Sequence, residues 1–185
     1  MAPDTQGPPD YEKMARAYRK KPVVGLDAPS VQKVSLGPEE IHRLLPHRAP
    51  FLFVDSIQAV DFERQSIVGT RFVDPSDPVF QGHFPDYPIL PGVLQVEMIG
   101  QLAICYHALA ETADLQNIGD HSRTGVRVVK ILHTLFQNEV LPGDRVTLQA
   151  RVLDQDEYRI RGIGQVLKGD TVCTVAVAEF FIVVD

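Results

Sequence analysis

Two residues have side-chain types suited to acid–base chemistry, His83 and Glu97. His83 lies in a turn-rich segment, residues 81–91, that contains three prolines. The segment that follows, from Gly92 to about Glu111, has no proline and is apolar on nearly every side, which predicts a buried helix. Carboxylates are rarely buried without a partner, and apolar surroundings favour their protonated form. A carboxyl on a core helix, preceded by a histidine loop, therefore predicts a proton donor and a proton acceptor in one site.

Simpler interpretations of both residues exist. A histidine near an apolar helix is often a hydrogen-bonded structural residue, and Glu97 can be an exposed or paired carboxylate. The remaining histidines show no spacing typical of metal ligands, so the sequence predicts neither a metal nor a cofactor; they are His42, His47, His107, His121 and His133. His47 is interpreted as a residue that holds a loop.

Composition narrows the class of protein. A chain of 185 residues with 44% hydrophobic residues favours one domain with a substantial core. The net charge of −6 argues against nucleic-acid binding. No segment reads as a secretory signal or a membrane span. Cys105 and Cys173 lie in apolar surroundings, which indicates buried thiols in a reducing compartment and hence a cytoplasmic protein.

The first thirty residues are predicted to be an extension of a domain that spans residues 31–185. Residues 1–10 are rich in Pro, Gly and Asp and are expected to be disordered. Residues 11–20 can form a short helix with Asp10 as its N-cap, and residues 22–30 are interpreted as a linker. The extension contains a cluster of four basic residues, Arg16, Arg19, Lys20 and Lys21. This cluster is interpreted either as a solvated face or as a docking site for an acidic partner.

The rest of the chain predicts an α+β fold. Alternating apolar runs predict strands on both sides of the long helix, and a short helix is expected at residues 38–45. An antiparallel sheet with the helix buried against one face accounts for both kinds of element. The predicted strands are 31–36, 51–61, 66–73, 125–136, 144–154, 157–168 and 171–184.

Three blocks of sequence resemble the FabZ-type 3-hydroxyacyl-acyl-carrier-protein dehydratases. They are LLPHRAPFLFVDSI at 44–57, FQGHFPDYPILPGVLQVEMIGQ at 80–101 and FQNEVLPGD at 136–144. The resemblance implies the hotdog fold, in which an antiparallel sheet wraps around a central helix. It also implies a homodimer or trimer of dimers that converts a 3-hydroxyacyl thioester to a trans-2-enoyl thioester, with the acyl group on an acyl carrier protein or CoA and no cofactor.

The same resemblance implies residue roles. His83 matches the catalytic histidine and Glu97 the catalytic acid, and the two residues of one site come from different subunits. The amides of Gly92 and its neighbour Val93 are expected to polarise the thioester carbonyl. The implied substrate-binding residues are Gly92, Val93, Gln101, Phe84 and Phe136. Further candidates for the apolar lining of an acyl site are Ile89, Leu90, Ile99 and Leu132.

The chain also departs from the family pattern. Many members carry basic residues where this chain has Gln137 and Asn138, so the carrier-docking surface is expected elsewhere, on Arg43, Arg48, Arg127 or the basic N-terminal extension. Three alternatives stay open at this point. They are a hotdog thioesterase, an R-specific hydratase of the MaoC kind and an acyl-binding protein without catalysis.

Overall fold

Seven antiparallel strands form a single sheet in the order β1-β2-β3-β5-β6-β7-β4. The structure, a computed structural model, describes residues 9–121 and 125–183. The strands alternate polar and apolar residues or are apolar throughout, as expected for half-buried and fully buried strands. They are β1 (Gln32–Leu36), β2 (Ser56–Asp61), β3 (Ser66–Phe72), β4 (Val126–Phe136), β5 (Arg145–Gln155), β6 (Arg159–Lys168) and β7 (Thr171–Ile182).

One long helix fills the concave side of this sheet. The described helices are α1 (Tyr11–Ala17), α2 (Pro38–Leu44), α3 (Val79–Gly82) and α4 (Gly92–Thr112). Helix α4 packs against β3, β4, β5, β6 and β7, and side chains on most of its circumference are buried, including Met98, Leu102 and Leu109. It begins after Pro91 and ends at Ala113, which takes the left-handed conformation that commonly ends helices. The predicted α+β layout is confirmed.

Two local features differ from the prediction. Strand β2 begins at Ser56 rather than at residue 51, because the Phe53 amide donates to the side chain of Gln101 instead of joining the sheet. The turn-rich segment before α4 is preceded by the single-turn helix α3, which the sequence pattern does not predict. Both differences lie beside the candidate site.

Helix α4 is long and apolar enough to cross a membrane, contrary to the expectation that no segment is. That criterion considers only length and composition, and a core helix also satisfies it. Most of the apolar stretch of α4 is buried inside the protein, under the sheet. The hydrophobicity of α4 is therefore explained by its position in the core of the protein.

The segment from residue 9 to 30, called the N-terminal arm below, covers part of the outer face of the sheet. Asp10 caps α1 by accepting from the Lys13 amide at 2.9 Å, as predicted. The segment interpreted as a linker is instead bound to the sheet, because Val23 and Val24 are buried and their amides donate to side chains of β6 and β5. Residues 1–8, part of the segment expected to be disordered, lie outside the described residues.

Both cysteines are buried and free, as predicted. Burial raises the pKa of each thiol above its ordinary value, so neither is a thiolate near neutral pH.

Candidate active site

His83 is held at the end of α3 by a hydrogen bond that defines its tautomer. Its Nδ1 lies 2.9 Å from the carbonyl oxygen of Ile89. A carbonyl oxygen only accepts, so Nδ1 carries the hydrogen and Nε2 of the neutral ring keeps its lone pair. The ring is half-buried and packs against Phe84, with ring centroids 4.2 Å apart. This imidazole is therefore oriented to accept a proton at Nε2.

The loop that carries His83 is attached to the connection between β4 and β5. The Tyr87 hydroxyl donates to Oε2 of Glu139 at 2.8 Å, and the Leu90 amide donates to the Val140 carbonyl at 2.8 Å. The bond to Glu139 raises the pKa of Tyr87, because the carboxylate stabilises the protonated phenol. These bonds fix the loop on both sides of Ile89, the acceptor for His83.

The loop leads into the N-terminus of α4. Pro91 precedes the first turn, and no side chain of the described residues caps it. The amides of Gly92 and Val93 belong to the first turn, where a helix leaves N–H groups without helical acceptors. The Phe136 ring covers Gly92 so closely that a Cβ atom there would lie 2.7–3.0 Å from ring carbons. Glycine thus permits an aromatic ring to pack directly against the first turn of the helix.

Glu97 lies in the second turn of α4 and faces the segment before β2. Its side chain is 28% exposed, so the full burial expected from the sequence is corrected to partial burial. Oε1 accepts a hydrogen bond of 2.9 Å from Nε2 of Gln101. Oε2 has no hydrogen bond or ion pair within residues 9–121 and 125–183, which leaves one carboxyl oxygen available to a ligand.

Gln101 is completely buried and binds Glu97. Its Oε1 accepts from the Phe53 amide at 2.8 Å, which sets the amide orientation, and its Nε2 donates to the Phe51 carbonyl at 2.9 Å as well as to Glu97. With no exposed surface it cannot touch a substrate. The predicted substrate contact is therefore corrected, and the other role expected for Gln101, orienting the carboxyl, stays a prediction.

His47 is the site residue whose place the sequence did not reveal. Its Nε2 lies 3.6 Å from Oε1 of Glu97, close enough for an electrostatic contact though longer than a hydrogen bond. The loop itself is held by Arg48, whose guanidinium donates to the carbonyls of His42, Leu45 and His47. The only signal in the sequence was that His47 belongs to the block at 44–57 that carries the family resemblance.

Within one chain, His83 and Glu97 use separate partners and share no hydrogen bond among the described residues. Several large apolar side chains close to these residues in the sequence are exposed. Phe84 is 56% and Val93 69% exposed. Strand β4, at the edge of the sheet, exposes Val129 and Ile131 as well. Such a surface is typical of one that a second polypeptide covers.

Comparison with known proteins shows the family of this chain. The FabA-like domain family matches residues 45–177. The chain belongs to the FabA-like family. It is 41% identical over 115 residues to the 3-hydroxyacyl-[acyl-carrier-protein] dehydratase FabZ of Ruminiclostridium cellulolyticum, covering 62% of this chain and 75% of that protein. It is 37% identical over 125 residues to FabZ of Xylella fastidiosa strain M12, covering 68% and 72%.

A solved structure extends the similarity to the fold. The dehydratase heterocomplex ApeI:P from Xenorhabdus doucetiae contains a chain with a TM-score of 0.61 and 16% identity, covering 78% of this chain and 91% of that chain. The predicted hotdog fold is confirmed. The FabA-like match includes every candidate site residue from His47 to Phe136, whereas the N-terminal arm lies outside it.

A cavity of about 180 Å³ lies in this FabA-like domain between α4 and the inner face of the sheet. The α4 residues Val96, Ile99, Gly100 and Ala103 line one side, and the far end reaches Ala110 and Glu111. Ile99 thus lies where an acyl-lining residue is expected. Leu132 does not, because it packs against the outer-face cluster with the N-terminal arm.

Among the described residues, no group of three or more His, Cys, Asp and Glu side chains is arranged to hold a metal ion.

Proposed function

We propose that this protein dehydrates 3-hydroxyacyl thioesters to trans-2-enoyl thioesters, with the acyl group delivered by an acyl carrier protein. The observation that carries the proposal is that an oriented imidazole, His83, precedes the N-terminus of α4 and a carboxyl held by Gln101, Glu97, follows it. The names of the FabZ relatives support the same reaction.

His83 takes the proton from C2 of the substrate. Its Nδ1 is bonded to the Ile89 carbonyl, so Nε2 is the accepting atom. As the proton leaves, the same carbonyl stabilises the imidazolium that forms.

The N-terminus of α4 makes the C2 proton acidic enough to remove. The amides of Gly92 and Val93 donate to the thioester oxygen, and the helix dipole favours the negative charge that develops there. The Phe136 ring over Gly92 limits access of water to this oxygen.

Glu97 donates the proton that lets the hydroxyl group leave C3. The electron pair of the broken C2–H bond forms the C2=C3 double bond, the C3–O bond breaks, and the oxygen departs as water with the Glu97 proton. Gln101 holds Oε1, which directs Oε2 toward the substrate. Return of the C2 proton from His83 to Glu97 restores both groups for the next turnover.

The complete site forms between two copies of the chain. The exposed β4 edge joins the corresponding edge of a second copy, which extends the sheet and brings His83 of one protomer to Glu97 of the other. The cavity beside Val96 and Ile99 then receives the acyl chain.

The test is to incubate the protein with a 3-hydroxyacyl thioester and to follow enoyl absorbance and free thiol together. Enoyl product without thiol release supports dehydration, whereas thiol release alone indicates a thioesterase. We expect His83→Ala and Glu97→Gln each to lower kcat by about a hundredfold or more, the usual contribution of an acid–base group. Wild-type kcat in either variant would contradict the assignment.

A further inference from the structure

We propose that the basic end of the N-terminal arm, formed by Arg19, Lys20 and Lys21, is the docking surface for an acidic acyl carrier protein. This inference rests on the proposed function, since it names where the carrier of the substrate binds. It concerns a part of the chain outside the FabA-like match.

The basic end lies next to the residues that contact the start of α4. Nε2 of Gln137 donates to the Arg19 carbonyl at 3.1 Å. Gln137 directly follows Phe136, whose ring covers Gly92 at the start of α4. A carrier bound to the arm would therefore deliver its thioester next to the helix N-terminus that polarises it.

The arm holds its basic residues in a fixed turn. The buried side chain of Gln165 donates to the carbonyls of Tyr18 and Lys21 at 2.6 and 3.0 Å, on either side of Arg19 and Lys20. The guanidinium of Arg151 donates to the Tyr18 hydroxyl at 3.0 Å. A surface already ordered before binding loses less conformational entropy when a partner docks.

The charges of this turn are available to a partner. Arg19, Lys20 and Lys21 are exposed and have no ion pair within the described part of the chain, whereas Arg16 is paired with Glu12. The nearest loop carries two acids, Glu139 and Asp144, and of these only Asp144 is paired with a cation. Glu139 accepts from Tyr87, and Asp144 accepts from Lys168 at 3.0 Å. In a chain of net charge −6, the three cations of the turn thus outnumber the one carboxylate of this loop that has no cation partner among the described residues.

The shape of the surface favours a protein over CoA. Three exposed cations on one turn match the acidic face of a folded carrier, and exposed charges mainly accelerate and orient such encounters. A small anion such as the CoA phosphates would favour a concave site with buried donors.

The experiment compares carrier-bound and carrier-free substrates in the full chain. We expect Arg19→Glu combined with Lys20→Glu to lower kcat/KM about tenfold for the acyl-carrier-protein thioester, with a larger effect at low salt. The same acyl group on pantetheine should react at the wild-type rate. Lys33→Glu combined with Arg145→Glu is the matched control, because it makes the same charge change on exposed residues of β1 and β5 that have no ion pair within the described part of the chain.

Three outcomes overturn the docking surface. They are an unchanged kcat/KM for the carrier-bound substrate, an equal loss on pantetheine, and an equal loss in the control variant. Dehydration of the pantetheine substrate by the wild type separates this result from a failure of the proposed function, which would leave both substrates unreacted.

Discussion

Nε2 of Gln101 donates a 2.9 Å hydrogen bond to Oε1 of Glu97, one helical turn away on α4. The Gln101 amide is itself fixed by the backbone of Phe51 and Phe53. The segment before β2 thereby determines the orientation of the carboxyl. A side chain without access to solvent thus connects the candidate acid to the backbone before β2.

Replacing Gln101 with leucine should therefore change both activity and stability. We expect kcat to fall about tenfold while KM changes little, because the carboxyl loses its orienting bond. The free energy of unfolding should fall by about 1–3 kcal/mol, since the Phe53 amide and Phe51 carbonyl lose their partners. Steady-state kinetics well below the melting temperature and chemical denaturation measure the two effects.

Gln165→Leu is the matched control for this prediction. Gln165 is also fully buried and also makes three hydrogen bonds, all of them to backbone groups of the N-terminal arm on the outer face of the sheet. It should lose similar stability and keep its kcat on a pantetheine substrate. A wild-type kcat in Gln101→Leu would show that Glu97 needs no orientation.

The assembly of the site from two protomers can be tested by mixing inactive chains. If His83 and Glu97 of one site come from different copies, a dimer of one His83→Ala chain and one Glu97→Gln chain contains one intact site. Random association of equal amounts should then restore about a quarter of wild-type activity. The measurement is dehydratase activity after co-expression or joint refolding, with each variant alone as control. No recovery in a verified heterodimer would place both residues in one chain.

Helix α4 and the strands were predictable from sequence because their apolar periodicity directly reflects burial. The ends of α4 followed from Pro91 and the loss of apolar character after residue 111. The contact between His47 and Glu97 was not predictable, since it joins positions fifty residues apart through tertiary packing. The packing of the N-terminal arm on the sheet was not predictable for a similar reason. In the sequence, Gln149 and Gln165 are polar positions, and nothing indicates that they are buried acceptors for the amides of Val24 and Val23.

His47 should have a weaker effect on Glu97 than Gln101 has. Its Nε2 lies 3.6 Å from Oε1, longer than the bond from Gln101, so its removal takes away a smaller interaction. We expect His47→Leu to reduce kcat by about threefold to tenfold with little change in KM. His47→Gln, which keeps a polar group in this position, should recover part of the loss.

The control for His47→Leu is a variant that loosens the loop carrying His47. Arg48 holds this loop through three carbonyls, so Arg48→Leu should raise KM and lower stability as well as kcat. If His47→Leu behaves in the same way, or if glutamine recovers nothing, then His47 only supports the loop.

Residues along the α4 side of the cavity should determine the acceptable acyl length. Ala103 and Ala110 both line the cavity, and at 1.5 Å per residue they lie about 10 Å apart along the helix axis. Leucine at either position would occupy space that an acyl chain needs. Ala103 is closer to Glu97 than Ala110 is. The longest acyl chain that the Ala103→Leu variant accepts should therefore be shorter than the longest chain that Ala110→Leu accepts.

The measurement is kcat/KM for pantetheine thioesters of increasing acyl length. We expect Ala103→Leu to lose about tenfold or more on long chains and to stay near wild type on the shortest, since steric exclusion of a few methylenes has that magnitude. Ala110→Leu should show the same decline, displaced to longer chains. A uniform loss at every length would mean that the substitutions disturb the core and that the acyl chain binds elsewhere.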